Sequence, residues 1–150
     1  HTIFRLFNVY GYGQDMKNLN QGMASIYLAQ ALENNHIDVK GSFDRYRDFV
    51  YIDDVVNALM MGLLPSTTDE TYNVATGEAT TVETLLDIIV DIVGTDTTYK
   101  NIGQYDGDQD GTSGLYDKLR AHTNWRPTVD IERGMAKFYV DLCKKEGVSL

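Results

Sequence analysis

Apolar residues recur at helical spacing in several stretches of the chain, with short apolar runs between them. The clearest stretch ends at Gly94, and its apolar members are Val82, Leu85, Leu86, Ile89, Ile92 and Val93. Thr80 followed by Glu83 forms a capping box just before it, and a glycine commonly follows the last turn of a helix. This pattern predicts an amphipathic helix over 82–93.

Other stretches predict further helices. One runs from about residue 21 to 33, and a short one covers 116–122. Another begins at Asp53 or Asp54, either of which can cap it, and stops at Pro65; its apolar face consists of Val55, Val56, Leu59, Met60 and Leu63. A last helix opens at Asp130 and turns Ile131, Met135, Phe138 and Leu142 inward.

The short apolar runs between these helices predict strands. They cover residues 3–9, 38–41, 49–52, 71–74 and 97–102, and several are bounded by glycine. Strands that alternate with helices are typical of α/β proteins. Because no linker or internal repeat divides the chain, residues 1–150 are predicted to form a single α/β unit.

Composition narrows the kinds of partner. The chain has 13 Lys and Arg against 22 Asp and Glu, a net charge of −9, so nucleic acid and anionic membranes are not expected to bind it. No apolar run reaches membrane-spanning length. The single cysteine, Cys143, excludes an intrachain disulfide and suits a reducing compartment, so we expect a cytoplasmic protein. The chain begins at His1 inside a predicted strand, and we expect it to be part of a longer protein.

Two short segments, about forty residues apart, carry the chemistry. The first, Arg5–Gly11, is a strand with Asn8 close to a glycine turn, and the second, Arg47–Val55, begins with a guanidinium ahead of another strand. An arginine and an asparagine amide at strand ends can hold a phosphate from two sides. Taken singly, Asn8 also fits a turn hydrogen bond, and Arg47 also fits a salt bridge to Asp48 or Asp53.

Both segments, in this order and spacing, resemble the C-terminal half of the extended short-chain dehydrogenase/reductases that act on nucleotide-linked sugars. These are the NAD-dependent sugar epimerases and dehydratases, the UDP-glucose 4-epimerase type among them. The resemblance implies the C-terminal part of a Rossmann-like fold with a small substrate-binding subdomain. It also implies that Asn8 and Arg47 bind the diphosphate of a nucleotide sugar. We expect Asp48 to orient Arg47 or to cap backbone amides rather than to take part in the chemistry.

Further matches extend this resemblance along most of the chain. Residues 21–25 and 39–42 match a subset of the family, which implies substrate contacts for Gln14 and Ser25. The resemblance of the turn at 72–77 implies that Asn73 lies near the substrate. The late Gly-Asp-Gln and Trp-x-Pro motifs at 107–109 and 125–127 imply that Asp108 is also a substrate-binding residue. This chain differs from the family pattern at two positions. Tyr105 stands where the family commonly has an arginine and Leu115 where it commonly has an aspartate, and those two residues usually help to hold the diphosphate and the ribose.

The catalytic elements of the family are missing from these residues. None of the ten tyrosines is followed four positions later by a lysine, and Gly11-Tyr12-Gly13 lacks the third glycine of a dinucleotide-binding turn. The resemblance therefore implies half an enzyme that positions the sugar for hydride transfer to NAD, with NAD bound mainly by an N-terminal half absent here. We predict that this chain alone has no catalytic residues and no activity, and that it self-associates or lacks a partner segment.

Two alternatives remain open at this point. One is a non-catalytic nucleotide-sugar-binding module, which the departures at Tyr105 and Leu115 favour. The other is a calcium-binding interaction domain, because Asp106, Asp108, Asp110, Gly111 and Asp117 fall on positions of an EF-hand-type loop. The aspartate at the last loop position, where a glutamate is expected, counts against calcium, and no metal site is predicted.

Overall fold

The computed structural model describes residues 1–18, 22–104 and 109–146 and confirms the α/β class. Strands and helices alternate in the order β1 (Thr2–Leu6), β2 (Asn8–Tyr10), α1 (Met23–Asn34), β3 (His36–Val39), β4 (Tyr46–Arg47), β5 (Phe49–Tyr51), α2 (Ile52–Met61), β6 (Glu70–Val74), β7 (Thr80–Thr81), α3 (Val82–Val93), β8 (Thr98–Asn101), β9 (Gly111–Thr112), α4 (Asp117–Thr123) and α5 (Ile131–Glu146). A 3₁₀ turn at Pro65–Thr67 separates α2 from β6.

Parallel pairing dominates the described strands. β1 pairs with β6, β2 with β5 and β3 with β8, all parallel, while β4 lies between β7 and β9. The single strand predicted over 3–9 is therefore two strands. The chain changes partner at Phe7, whose N–H donates to Val74 O, whereas the N–H of Asn8 donates to Asp48 O.

Two hydrophobic clusters form the core. The larger cluster packs α1, α3 and α5 around β2, β3 and β5, and includes Tyr10, Leu28, Val39, Leu85, Leu86, Ile89, Met135 and Phe138. The smaller one lies between β6 and its covering helices α2 and α4, and includes Val50, Val55, Ala58, Tyr72, Val74, Leu119 and Trp125. Helices that cover parallel strands produce this layered packing.

The predicted apolar face of α2 is wrong in most of its members. Val55 is buried, and so is Ala58, but Val56, Leu59, Met60 and Leu63 are 46–77% exposed. The helix meets the β-strands through its narrow Val55 and Ala58 side, so the broader apolar stripe has no cover within the described residues. Periodicity identified the helix but could not identify the side that packs.

The two aspartates at the start of α2 do not cap it, contrary to the prediction. The helix begins at Ile52 after Tyr51, so Asp53 and Asp54 lie inside its first turn, and no side chain caps it. Asp53 instead pairs with Lys137 Nζ at 2.7 Å. Asp54 is buried and accepts hydrogen bonds from Thr128 and Val129, at the end of the Trp-x-Pro motif.

The predicted helix over 82–93 is confirmed, but its cap is shifted by one residue. Thr81, rather than Thr80, is the N-cap, and its hydroxyl accepts from Thr84 N at 3.1 Å. Gly94 ends the helix with a φ of 141°, which favours glycine. The last helix also follows the prediction, since Asp130 Oδ1 accepts from Arg133 N at 2.8 Å.

Leu85 and Leu63 give a matched test of this packing. Leu85→Ala leaves a cavity in the larger cluster, where Leu85 is fully buried, and we expect a loss of about 2–5 kcal/mol in the free energy of unfolding. Leu63→Ala, at a 77% exposed position, is expected to change it by under about 0.5 kcal/mol. Urea unfolding of both variants measures the difference, and equal losses would contradict the described core.

Candidate functional site

Asn8 begins β2, and Arg47 ends β4 just before the chain enters β5, the strand that pairs with β2. Asn8 opens β2 and is the register partner of Phe49 in β5, two residues beyond Arg47. The main-chain O of Asp48, between Arg47 and Phe49, accepts from Asn8 N at 3.0 Å and from Asn8 Nδ2 at 3.1 Å. An asparagine amide carries a second N–H and an acceptor oxygen, so Asn8 keeps hydrogen-bonding capacity for a ligand.

The guanidinium of Arg47 is held by main-chain carbonyls. Its Nη1 donates to Tyr46 O at 2.8 Å, and both terminal nitrogens lie within 3.4 Å of Gln109 O. Within residues 1–18, 22–104 and 109–146 no carboxylate pairs with it: Asp48 accepts from other segments and Asp53 pairs with Lys137. The salt-bridge alternative for Arg47 is thus not found there, and no acid in that part of the chain compensates its positive charge.

Asp48 caps backbone amides, as the sequence analysis expects. The side chain is fully buried. Its Oδ1 accepts from Thr76 N at 2.7 Å and from Thr76 Oγ1 at 2.8 Å, and its Oδ2 accepts from Gly77 N at 2.9 Å and Gly114 N at 3.2 Å. Hydrogen bonds to a charged acceptor stabilise it strongly. One carboxylate therefore joins β5 to the turn after β6 and to the segment after β9.

Gln14 and Ser25 contact each other. Gln14 Oε1 accepts from the hydroxyl of Ser25 and from Gly11 N, the latter at 3.3 Å. Ser25 is buried in α1, so its hydroxyl points at Gln14. This pair fixes the acceptor side of the Gln14 amide and leaves its two N–H donors for other partners.

No described hydrogen bond joins Asn73 to Asn8 or Arg47. Asn73 sits in β6 opposite Arg5, and its Nδ2 donates to Leu115 O at 3.4 Å. Leu115, at the position where the family usually has an aspartate, is 73% exposed. Asp108 lies outside the described residues, as do Tyr105 and Asp106.

A cleft among the described residues does not include the candidate phosphate ligands Asn8 and Arg47. It has a volume of about 200 Å³ and is lined by Phe49, Thr76, Glu78, Thr80 and residues 127–131. The carboxylates of Glu78 and Asp130 make it a poor place for a diphosphate, because like charges repel. We therefore assign the candidate site to the strand junction at Asn8 and Arg47.

Neither a metal-ligand cluster nor a dinucleotide-binding turn is found among the described residues. No group of three His, Cys, Asp or Glu side chains is placed to hold a metal ion among them. The described part of the calcium-like loop belongs to β9 and α4 and follows strand β8, which differs from a helix–loop–helix. Gly11 and Gly13 have positive φ angles, but the next helix begins only at Met23, so they do not form the strand–turn–helix that holds a dinucleotide.

Sequence reasoning missed a cluster of aromatic and charged groups around α5. Lys137 Nζ lies 4.6 Å from the ring centroid of Tyr51, and the hydrogen bond that it donates to Asp53 raises the pKa of Lys137. Burial raises the pKa of the Tyr10 phenol, whose oxygen lies 3.5 Å from Asp130 O. These groups join helix α5 to β2 and β5, and they are separated in sequence by more than eighty residues, so no local pattern predicts them.

Comparisons with known proteins agree with this architecture. A family model described as the NAD dependent epimerase/dehydratase family matches residues 1–75. A putative UDP-glucose 4-epimerase of Methanocaldococcus jannaschii is 33% identical over 140 residues, which are 91% of this chain and 44% of that protein. A dTDP-4-dehydro-6-deoxyglucose reductase of Escherichia coli is 30% identical over 144 residues, 93% of this chain and 44% of that protein.

A solved structure shows the same fold. The UDP-glucose 4-epimerase of Thermotoga maritima, crystallised with UDP-glucose, is 28% identical with a TM-score of 0.88, and the match covers 97% of this chain and 46% of that one. The α/β fold is thus that of the extended short-chain dehydrogenase/reductases. This chain belongs to the NAD-dependent epimerase/dehydratase family.

The matches also show how much of each relative's length this chain covers. It covers less than half the length of these relatives. Among the described residues no helix has the length and apolar character required to cross a bilayer.

Proposed function

We propose that this chain is the nucleotide-sugar-binding portion of an NAD-dependent sugar epimerase or dehydratase, and that Asn8 and Arg47 hold the diphosphate. The observation that supports this most strongly is the position of the Arg47 guanidinium. It lies one residue from the carbonyl that binds Asn8, and no described carboxylate neutralises it. In a chain with a net charge of −9, such a local cation is what an anionic ligand requires.

The chemistry of the two side chains fits a diphosphate. A guanidinium presents N–H donors in a planar fork that matches two phosphate oxygens. The free N–H of Asn8 offers a further donor from the adjacent strand. Because main-chain carbonyls already hold Arg47 at Tyr46 and Gln109, little rotamer entropy remains to be lost on binding.

Contacts to the rest of the substrate are assigned to Gln14, Ser25, Asn73 and Asp108. Gln14 is the best supported, since Ser25 and Gly11 orient its amide and leave its N–H donors available. Ser25 then acts through Gln14. Asn73 and Asp108 follow from the family motifs alone.

The redox part of the activity is proposed to lie outside these 150 residues. Family members depend on NAD, and the glycines of this chain do not fit that cofactor. No tyrosine here precedes a lysine by four positions. The whole protein is proposed to be cytoplasmic, and this portion supplies substrate positioning rather than proton transfer.

A non-catalytic nucleotide-sugar-binding module is the second candidate. The exposed Leu115 in place of the family's aspartate favours it. Coding sequence immediately upstream of His1 that contains a glycine-rich turn and a Tyr-x-x-x-Lys pair would exclude this candidate.

Uncovered apolar surface supports a further partner for the chain. On β1, Ile3 and Leu6 are each 47% exposed. Side chains alternate between the two faces of a strand, so these two residues leave apolar surface exposed on both faces of β1. Parallel strands in α/β proteins are normally covered on both faces. The apolar stripe formed by Val56, Leu59 and Met60 of α2, together with Leu63 just after the helix, is also exposed in the described chain. We propose that a preceding segment or a second copy covers these surfaces.

Binding of UDP-glucose and dTDP-glucose to variants tests the proposed ligands. Arg47→Ala is expected to weaken binding about tenfold to a hundredfold, because a hydrogen bond to a charged group contributes about 1.5–3 kcal/mol. Arg47→Lys should be intermediate, since it keeps the charge without the fork. Arg120→Ala removes the same charge from an exposed position in α4 and should leave affinity within about twofold. Titration calorimetry measures all three, and unchanged affinity for Arg47→Ala would refute the assignment.

Turnover tests the division of labour between this chain and the rest of the protein. Purified 1–150, supplied with NAD and a nucleotide sugar, should show no NADH formation and no epimerised or dehydrated product by chromatography. The reason is that it has no Tyr-x-x-x-Lys pair to move the proton. Product formation above a protein-free control would contradict the proposal.

Light scattering tests the uncovered surface. We expect self-association of the isolated chain at micromolar concentration, and Leu59→Lys should reduce it by charging the bare stripe of α2. Leu32→Lys, at a similarly exposed position on α1, is the matched control and should not. A monodisperse monomer of the unmodified chain would count against a missing partner.

A further inference from the structure

We propose that Asp48 is the positioning residue of the candidate site: it fixes the separation of Asn8 and Arg47, and through that separation it sets the affinity for the diphosphate. The inference rests on the proposed function, because it concerns the same two ligands. Asp48 itself does not bind the ligand, since its carboxylate is buried and faces four protein donors.

The four donors belong to the segments that flank the strand of Arg47. Thr76 and Gly77 lead into β7, and Gly114 follows β9. β7 and β9 are the two neighbours of β4, where Arg47 pairs with Thr80 on one side and Thr112 on the other. The Asp48 carboxylate thus ties both neighbours of the Arg47 strand to one point.

The main chain of Asp48 holds the second ligand. Its carbonyl accepts both the N–H and the side-chain Nδ2 of Asn8, so the orientation of the Asn8 amide depends on the position of residue 48. A shift of the Asp48 backbone therefore moves the Asn8 amide relative to the Arg47 guanidinium, and misplacement by about 1 Å can cost about a hundredfold in function.

Electrostatic repulsion and the positioning role predict opposite changes in the Kd for the diphosphate when the charge of Asp48 is removed. A buried carboxylate next to a diphosphate repels it, so Asp48→Asn alone should strengthen binding if charge were the only effect. The positioning role predicts weaker binding, because the amide nitrogen that replaces one oxygen cannot accept from Gly77 and Gly114. The direction of the change in Kd therefore separates the two accounts.

Asp54 provides a matched control for loss of stability. It is also buried, and it also clamps a distant turn, through Thr128 N, Thr128 Oγ1 and Val129 N. It has no hydrogen bond to Asn8 or to Arg47 within the described residues. Asp48→Asn and Asp54→Asn should both lower the melting temperature, but only Asp48→Asn should weaken binding.

The experiment is titration of UDP-glucose into the 150-residue chain and its variants, below the melting temperature of each. We expect the Kd to rise about tenfold or more for Asp48→Asn and to stay within about twofold for Asp54→Asn. Thr76→Val removes one of the four donors and is expected to raise the Kd about two- to fivefold, which keeps the test valid if Asp48→Asn does not fold.

Unchanged or tighter binding by Asp48→Asn, or equal weakening by Asp54→Asn, would overturn the positioning role. Where Asp48→Asn does not fold, an unchanged Kd for Thr76→Val overturns it. Arg47→Ala distinguishes this failure from failure of the proposed function: if Arg47→Ala weakens binding and the Asp48 and Thr76 variants do not, only the positioning role is lost.

Discussion

A single buried carboxylate, that of Asp48, decides how the strands of this chain meet. Asp48 is surrounded by three main-chain N–H groups and one hydroxyl, and such an environment stabilises a charge that burial alone would disfavour. Its donors lie 28 to 66 positions away in the sequence. Asp48, between Arg47 and Phe49, is therefore held in place by residues that are distant in the sequence and meet only in the folded chain.

The same device appears a second time. Asp54 clamps the Thr128 and Val129 turn while its carbonyl accepts from Trp125 Nε1 at 3.1 Å. Asp48 and Asp54 thereby connect the candidate site to the turn after β6 and to the start of the last helix. Acidic residues in this chain are partly structural, which reconciles a net charge of −9 with a proposed anionic ligand: the buried carboxylates of Asp48 and Asp54 are already hydrogen-bonded, whereas no described carboxylate pairs with the Arg47 guanidinium.

The sequence predicts the element types well and their contacts poorly. Helix α3 follows directly from its apolar spacing, and the juxtaposition of Asn8 and Arg47 follows from two short motifs. The exposed side of α2 could not be predicted, because an apolar stripe identifies a helix but not the surface that covers it. The roles of Asp53 and Asp54 were missed for a related reason, since both a cap and a long-range clamp begin with an aspartate near a helix start.

Substrate identity rests on fewer residues than the fold does. Asn8 and Arg47 are proposed to recognise a diphosphate, which many nucleotide sugars share, while Gln14 and Ser25 form a hydrogen-bonded pair that the motifs did not anticipate. The family resemblance implies an aspartate near the ribose where this chain has Leu115. We propose that residues beyond the strand junction recognise the base and the sugar.

The most direct measurement is a crystal structure of this chain with UDP-glucose bound. The account predicts diphosphate oxygens within about 3.2 Å of the Arg47 guanidinium and of Asn8 Nδ2. A diphosphate that contacts neither side chain, whether in the cleft beside Glu78 and Asp130 or elsewhere, would contradict it.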